Sequence, residues 1–248
     1  MITTNPFSIL SETVPAIATQ SFVIVMAFLV VIGTLVDIIH KKNVKYFFEN
    51  AKKAKLSATK TLSAGEKISV ISKTIVSDIA TTSELGAGKR RVAHLLGMYG
   101  TILFWTGSVI MIFCYSSPSS DTPSFWPIIW HVGAIMTVVG GSWFWFFLRV
   151  DVYSEAHPWY RIIKADLFVL ALIASSLFGL IWSCLQSLNL NDRWDDKAFL
   201  VLYIISNLAL FGGVYWSKFA HMFYKPGASI QKNLAEADGS RDNLPPPA

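Results

Sequence analysis

Two histidines lie near the ends of two apolar stretches, at positions from which their imidazoles could bind a metal. His94 follows Arg91 by three residues, and His221 precedes Lys225 by four, so each lies about one helical turn from a cation. A neutral imidazole binds iron through one ring nitrogen while the other nitrogen donates a hydrogen bond. Two histidines at one depth in a membrane, on different helices, would hold a haem iron from both faces.

The neighbours of these histidines fit a porphyrin, but each also has a simpler explanation. Gly97 lies three residues after His94 and leaves that helix face without bulk where a flat macrocycle would approach. Arg91 and Lys218 are placed to bind haem propionates. Alternatively, His94 contacts lipid headgroups, Gly97 serves close helix packing, and the cations reflect membrane topology alone.

Long apolar helices must position these residues. Hydrophobic residues make up 53% of the 248, charged residues only 15%, and the mean hydropathy is +0.47. Since about 20 apolar residues span a bilayer as a helix, five stretches qualify: residues 14–39, 92–115, 125–150, 162–185 and 198–223. Continuous runs of this length favour helices over a barrel of short alternating strands. We predict an all-α membrane protein with a bundle of five transmembrane helices.

The distribution of Lys and Arg predicts the orientation. Residues 41–91 carry twelve of the 21 basic residues, whereas the opposite side of the predicted bundle has almost none. Basic loops stay in the cytoplasm, so the N-terminus is predicted outside and the C-terminus inside, in a multi-pass protein of the cell membrane. This bias accounts for the net charge of +5 without a nucleic-acid partner. Apolar residues at helical spacing within 68–79 indicate an amphipathic helix on the membrane surface or against a partner.

Two other histidines could take part in quinone chemistry. His131 lies in the outer half of the third span, where it is either a quinol proton acceptor or a buried histidine hydrogen-bonded to a neighbouring helix. His157 precedes Pro158 in a turn at the membrane interface, where a structural role and a quinone-site role are both open.

Other polar residues of the spans have open alternatives. Asp166, near the inner end of the fourth span, is expected to pair with Lys164 or Arg161, or to line a polar cavity. Cys114 and Cys184 are too few for a cysteine-ligated iron–sulfur cluster or zinc site. They form either a disulfide or two unpaired thiols.

Three features carry a resemblance to a known family. They are five spans with an outside N-terminus, the segment 73–100 (KTIVSDIATTSELGAGKRRVAHLLGMYG) and the segment 217–226 (SKFAHMFYKP). In these the chain resembles the nitrate reductase gamma subunit-like family of membrane cytochromes b. That family includes the membrane subunits of heterodisulfide reductase and of the quinone-interacting oxidoreductase complex. The resemblance extends over most of the chain and excludes the tail.

The resemblance implies haem b, a quinone and a cytoplasmic iron–sulfur or flavin partner. Family members hold two b haems with two histidines from the second span and two from the fifth. Only His94 and His221 match, and they correspond to the cytoplasmic-side haem; Phe104 and Tyr203 stand near the outer ligand positions. One haem b is therefore expected, while a second, bound through His131 and an unrecognised ligand, stays open.

Together these observations predict an electron-transfer subunit of a quinone-linked oxidoreductase, with no catalytic residue of its own. Residues 1–226 would form the cytochrome b-like domain, with the amphipathic loop 41–91 in the cytoplasm, and residues 227–248 a polar, disordered tail. The alternative is a cofactor-free anchor for a cytoplasmic complex. A small transporter is disfavoured because the spans contain few ionisable residues and no repeat.

Overall fold

The computed structural model describes residues 2–86, 88–149, 158–190, 193–217 and 221–240; the side chains of Lys41, Asn43 and His221 are not described. Within these ranges the chain is helical and contains no strand, which confirms the predicted all-α class. The α-helices are α1 Pro6–Leu10, α2 Ala16–Lys41, α3 Asn43–Leu56, α4 Ala64–Thr74, α5 Lys89–Cys114, α6 Phe125–Trp143, α7 Leu167–Ser187, α8 Trp194–Gly212 and α9 His221–Ala237. Single π-helical turns extend α4 and α6, at Ile75–Ala80 and Phe144–Leu148.

Four helical segments are long and apolar enough to cross a membrane: Ala16–His40, Lys89–Cys114, Phe125–Leu148 and Lys164–Ser187. They correspond to the first four predicted spans. The shortest contain 24 residues, which gives about 36 Å of helix against about 30 Å of hydrocarbon core. The chain therefore has the helices of a multi-pass membrane protein.

The fifth predicted span, residues 198–223, is divided between two helices. α8 ends at Gly212, turns follow at 213–217, and α9 begins at His221. The apolar part of α8, residues 198–212, is only about 22 Å long. Consecutive glycines at the end of α8 favour this break because glycine is a poor helix former. A fifth crossing, and with it the orientation of the termini, stays a prediction.

The chain divides into two compact units. The bundle unit contains Met1–Gly33 and Val92–Lys218, and the basic unit contains Thr34–Arg91 and Phe219–Ala248. The basic unit includes fifteen of the 21 Lys and Arg residues, twelve from 41–91 and three from the C-terminal segment. The residues predicted as a loop thus pack with the end of the chain.

In the bundle unit, glycines bring α5 and α6 into backbone contact. A Cβ atom added to Gly133 would lie 2.5 Å from the Phe104 nitrogen, and one added to Gly140 would lie 2.6 Å from the Gly97 nitrogen. The later position on α6 contacts the earlier position on α5, so these helices are antiparallel. Small residues allow such close approach between membrane helices. α7 packs against both α6 and α8 and completes this part of the bundle.

Both cysteines lie towards the C-terminal ends of helices, and no disulfide joins them. Cys114 is the last residue of α5, and Cys184 lies in the last turn of α7. Of the two alternatives drawn from the sequence, the structure has two thiols and not the disulfide.

In the basic unit, α4 begins with a capping box. The Ser63 hydroxyl accepts a hydrogen bond from the Glu66 nitrogen, and the Glu66 carboxylate accepts one from the Ser63 nitrogen at 2.8 Å. Lys60 donates to the same carboxylate at 2.6 Å. This hydrogen bond, followed by those from Ser63, lowers the pKa of Glu66 to about 2.

The C-terminal segment, expected to be disordered from residue 227, is helical as far as Ala237. Asn233 on α9 donates to Thr74 at 2.9 Å and to the Asp78 carboxylate at 2.7 Å. Lys225 forms an ion pair with Glu84. Each partner precedes the α9 residue that it contacts by more than 140 residues, which is why local composition did not predict the helix. Residues 241–248 lie outside the described part of the chain.

Candidate functional site

α5 carries the first predicted iron ligand. His94 lies in the second turn of this helix, and its side chain is exposed. One turn further on, a Cβ added to Gly97 would meet no atom of the described residues within 4 Å, although the Gly97 backbone lies against Gly140. By contrast, a Cβ added to Gly100 would lie 2.7 Å from the backbone of Thr137 on α6. Gly97 therefore leaves open space beside its helix, whereas Gly100 serves helix packing.

The second predicted ligand, His221, is the first residue of α9. The sequence placed it one turn inside the end of a fifth span, but in the structure it begins a separate helix after the turns that follow α8. Its side chain is outside the described part of the chain, as is Lys218. His94 belongs to the bundle unit and His221 to the basic unit. The convergence of the two imidazoles stays a prediction.

Arg91, a predicted propionate partner, is half-buried in the basic unit. Its Nε donates to the Thr81 carbonyl at 2.7 Å, which links the start of α5 to the turn after α4. Arg91 thus has a structural contact through one of its nitrogens. A role towards a propionate would have to use the others.

The positions near which the family has its outer haem ligands are filled by aromatic side chains. Phe104 is 1% exposed, and its ring centroid lies 6.4 Å from that of Tyr203. Trp182 stacks on Tyr203 at 5.9 Å, and Trp130 lies 5.1 Å from Phe104. These four rings form a packed cluster joining α5, α6, α7 and α8. The aromatic cluster occupies the space between Phe104 and Tyr203 with side-chain carbon and supplies no imidazole there.

His131 is held inside the bundle unit through both ring nitrogens. It is 3% exposed, its Nδ1 is 2.7 Å from the Pro127 carbonyl oxygen, and its Nε2 is 2.9 Å from the Ser183 hydroxyl on α7. Its ring lies edge-on to Trp130. Of the two interpretations drawn from the sequence, this geometry is that of a histidine hydrogen-bonded to a neighbouring helix. His157 lies outside the described residues.

Asp166 pairs with Arg149, not with Lys164 or Arg161 as expected from the sequence. The Arg149 side chain is fully buried, and its Nε lies 3.3 Å from the Asp166 carboxylate. The guanidinium also stacks over Trp145 at 4.2 Å. The only sequence signal for this pair is an arginine two residues after an aromatic run. The pair joins the end of α6 to the start of α7.

An apolar cavity lies in the bundle unit between α1, α2, α5, α7 and α8. Its volume is about 400 Å³, and its polar side chains include Ser108, Tyr203 and Asn207. The Ser108 hydroxyl accepts a hydrogen bond from Trp130 Nε1 at 2.8 Å, and the Asn207 amide donates to the Tyr203 carbonyl at 2.8 Å, so both side chains already have partners. His131 is not among the lining residues. No pattern of spacing along the sequence indicated this cavity, because its walls come from five separate helices.

The chain matches no protein-family model, no curated protein and no solved structure. The family resemblance therefore depends on the residues and motifs themselves.

Proposed function

We propose that this protein is the membrane-anchoring b-type cytochrome subunit of a quinone-linked oxidoreductase. One haem b would be bound by His94 and His221 near the cytoplasmic side of the membrane, with the N-terminus outside. Electrons would pass between the quinone pool and a cytoplasmic iron–sulfur or flavin subunit.

The open space at Gly97 carries this proposal. Gly97 lies three residues from an exposed histidine on a helix long enough to span a membrane, and a Cβ added there would meet none of the described atoms within 4 Å. A flat ligand could approach the helix at this point. The Gly97 backbone packs against Gly140, but the direction in which a Gly97 side chain would extend points away from that contact. Haem, when bound, would supply one-electron transfer, and His94 and His221 are the residues that would hold it.

The roles of the chain's own residues follow from this placement. His94 and His221 would bind and orient the iron, and Arg91 and Lys218 would neutralise the propionates. The aromatic cluster around Phe104 supports a count of one haem because it fills the outer position.

The quinone and the soluble partner would use different parts of the molecule. The apolar cavity suits an isoprenoid chain and a ring better than the neighbourhood of His131, since both nitrogens of that histidine already have partners. The positive basic unit suits an acidic docking surface on a redox partner.

Reduced-minus-oxidised visible spectra of protein purified from haem-replete cells test the proposal. We expect a b-type band that is lost in both His94→Ala and His221→Ala and is kept in the control His40→Ala. The haem-to-chain ratio should be one. A ratio of two would contradict the single haem, and a band that survives both ligand substitutions would contradict the ligand assignment.

A second candidate is a cofactor-free anchor. The observation that favours it is the basic unit itself, which packs α3, α4 and α9 into a compact helical body suited to recruiting a soluble complex. A purified protein without pigment, correctly folded by circular dichroism, would favour the anchor over the cytochrome.

A further inference from the structure

α3 begins where a membrane-crossing helix ends. α2 runs to Lys41 and α3 starts at Asn43, with Lys42 between them in the left-handed conformation at φ 53°. This single residue redirects the chain. Because α2 is long and apolar enough to span the bilayer, α3 starts at the membrane surface.

One face of α3 packs inside the basic unit. Ala54 is 6% exposed, and the ring of Phe47 lies close to Gly227 on α9. The Gln231 side chain also approaches the Phe47 carbonyl at 3.5 Å. These contacts fix the rotation of α3 about its axis and direct the opposite face outward.

The outward face of α3 combines large apolar side chains with lysines. Phe48 is 65% exposed and Leu56 is 82% exposed. Lys52 and Lys55 follow Phe48 by four and seven residues, so they share its side of the helix. Lys53 is also exposed. Such a face is unfavourable in water, because the transfer of exposed aromatic and aliphatic carbon from water to an apolar environment lowers the free energy.

We infer that this face of α3 is a binding surface for anionic phospholipids of the membrane that the protein spans. Phe48 and Leu56 enter the boundary between headgroups and acyl chains, while Lys52 and Lys55 contact lipid phosphates. The position of α3 directly after α2 and the charge of its lysines favour lipid over an acidic protein. The surface is independent of haem, and it leaves α4 and the rest of the basic unit to a soluble partner.

Photocrosslinking in nanodiscs tests this surface with the full chain. A photoreactive p-benzoylphenylalanine replaces Phe48, and discs contain either phosphatidylcholine alone or phosphatidylcholine mixed with phosphatidylglycerol. Mass spectrometry counts lipid adducts. We expect at least about threefold more adduct in the phosphatidylglycerol discs, because each lysine near an anionic surface adds to binding. Lys52→Gln combined with Lys55→Gln should reduce this ratio towards one.

The matched control places the same photoreactive residue at Asn50, which is also exposed but lies about 160° around the helix from Phe48. It should give little lipid adduct in either disc. Equal adducts at the two positions, equal yields with the two lipids, or a crosslink from position 48 to a second protein chain would overturn the inference. The visible spectrum of the same discs reports haem separately, so failure of one proposal is distinguishable from failure of the other.

Discussion

Alanine substitutions at Gly97 and Gly133 should change the stability of the bundle in opposite directions. At Gly133, the new Cβ would lie 2.5 Å from the Phe104 nitrogen and 2.8 Å from the Leu103 Cβ. Such overpacking lowers the free energy of unfolding by about 1–3 kcal/mol. The better helix propensity of alanine offsets about 1 kcal/mol of this loss. We therefore expect a net loss of up to about 2 kcal/mol in the free energy of unfolding.

At Gly97, the same substitution meets open space. Only the backbone term remains, so we expect a gain of about 0.4–1 kcal/mol. A larger side chain separates packing from cofactor binding: Gly97→Leu should leave the fold intact while reducing haem content, because the isobutyl group fills the space beside His94.

Both effects are measurable on purified protein. Unfolding in mixed micelles with increasing dodecyl sulfate, followed by tryptophan fluorescence, gives the stability difference, and the pyridine haemochromogen assay gives the haem-to-chain ratio. The reasoning fails if Gly97→Ala destabilises the bundle as much as Gly133→Ala does. It also fails if Gly97→Leu keeps a full complement of haem.

Three further substitutions follow from buried or paired polar groups. Asp166→Asn should lower the free energy of unfolding by about 3–5 kcal/mol, because it leaves the buried Arg149 charge without a counter-charge. The double change Arg149→Met with Asp166→Leu should lower it less. Unfolding in mixed micelles measures both, and a double change as destabilising as the single one contradicts the pairing. The pKa of Asp78 lies below its ordinary value because its carboxylate accepts hydrogen bonds, most importantly from Asn233. The stability that this carboxylate contributes is therefore present above the ordinary pKa and is lost as the pH falls through the lowered pKa. Hydrogen exchange of residues 74–80, corrected for intrinsic rates, should therefore rise below about pH 4. Asn233→Ala should weaken this pH dependence. If the substitution leaves the acid response unchanged, Asn233 is not the group that lowers the pKa of Asp78. Ser63→Ala should raise the hydrogen-exchange rates of the first turn of α4, because it removes a cap that contributes about 1 kcal/mol to helix stability. Unchanged rates there would show that the capping box does not stabilise the helix.

Some candidate residues have a local signal in the sequence. Its place in an apolar run left two alternatives open for His131, a quinol proton acceptor or a buried histidine bonded to a neighbouring helix, and only the structure supplies the partner, Ser183. Gly97 was identified from its spacing to His94. Spacing alone, however, could not distinguish it from Gly100, since the difference depends on whether a side chain at each position would point towards α6 or away from it.

Other contacts were out of reach because their partners are chosen by packing. Asp166 has cations two and five residues away in the sequence, yet it pairs with Arg149, which the end of α6 brings to it inside the protein. Similarly, the polar composition after residue 227 predicted disorder, while Asn233 and its partners near α4 stabilise a helix.

The amino-acid sequence by itself determined that this chain is helical and crosses a membrane. A spanning helix needs about twenty consecutive apolar residues and forms its backbone hydrogen bonds within the same segment, so the signal is local. Only the tertiary structure decided which glycines touch a neighbouring helix, which cation neutralises Asp166, and that Phe104 and Tyr203 fill the bundle with aromatic carbon. These outcomes depend on close packing between segments far apart in the chain, where a difference of one side-chain atom separates open space from contact.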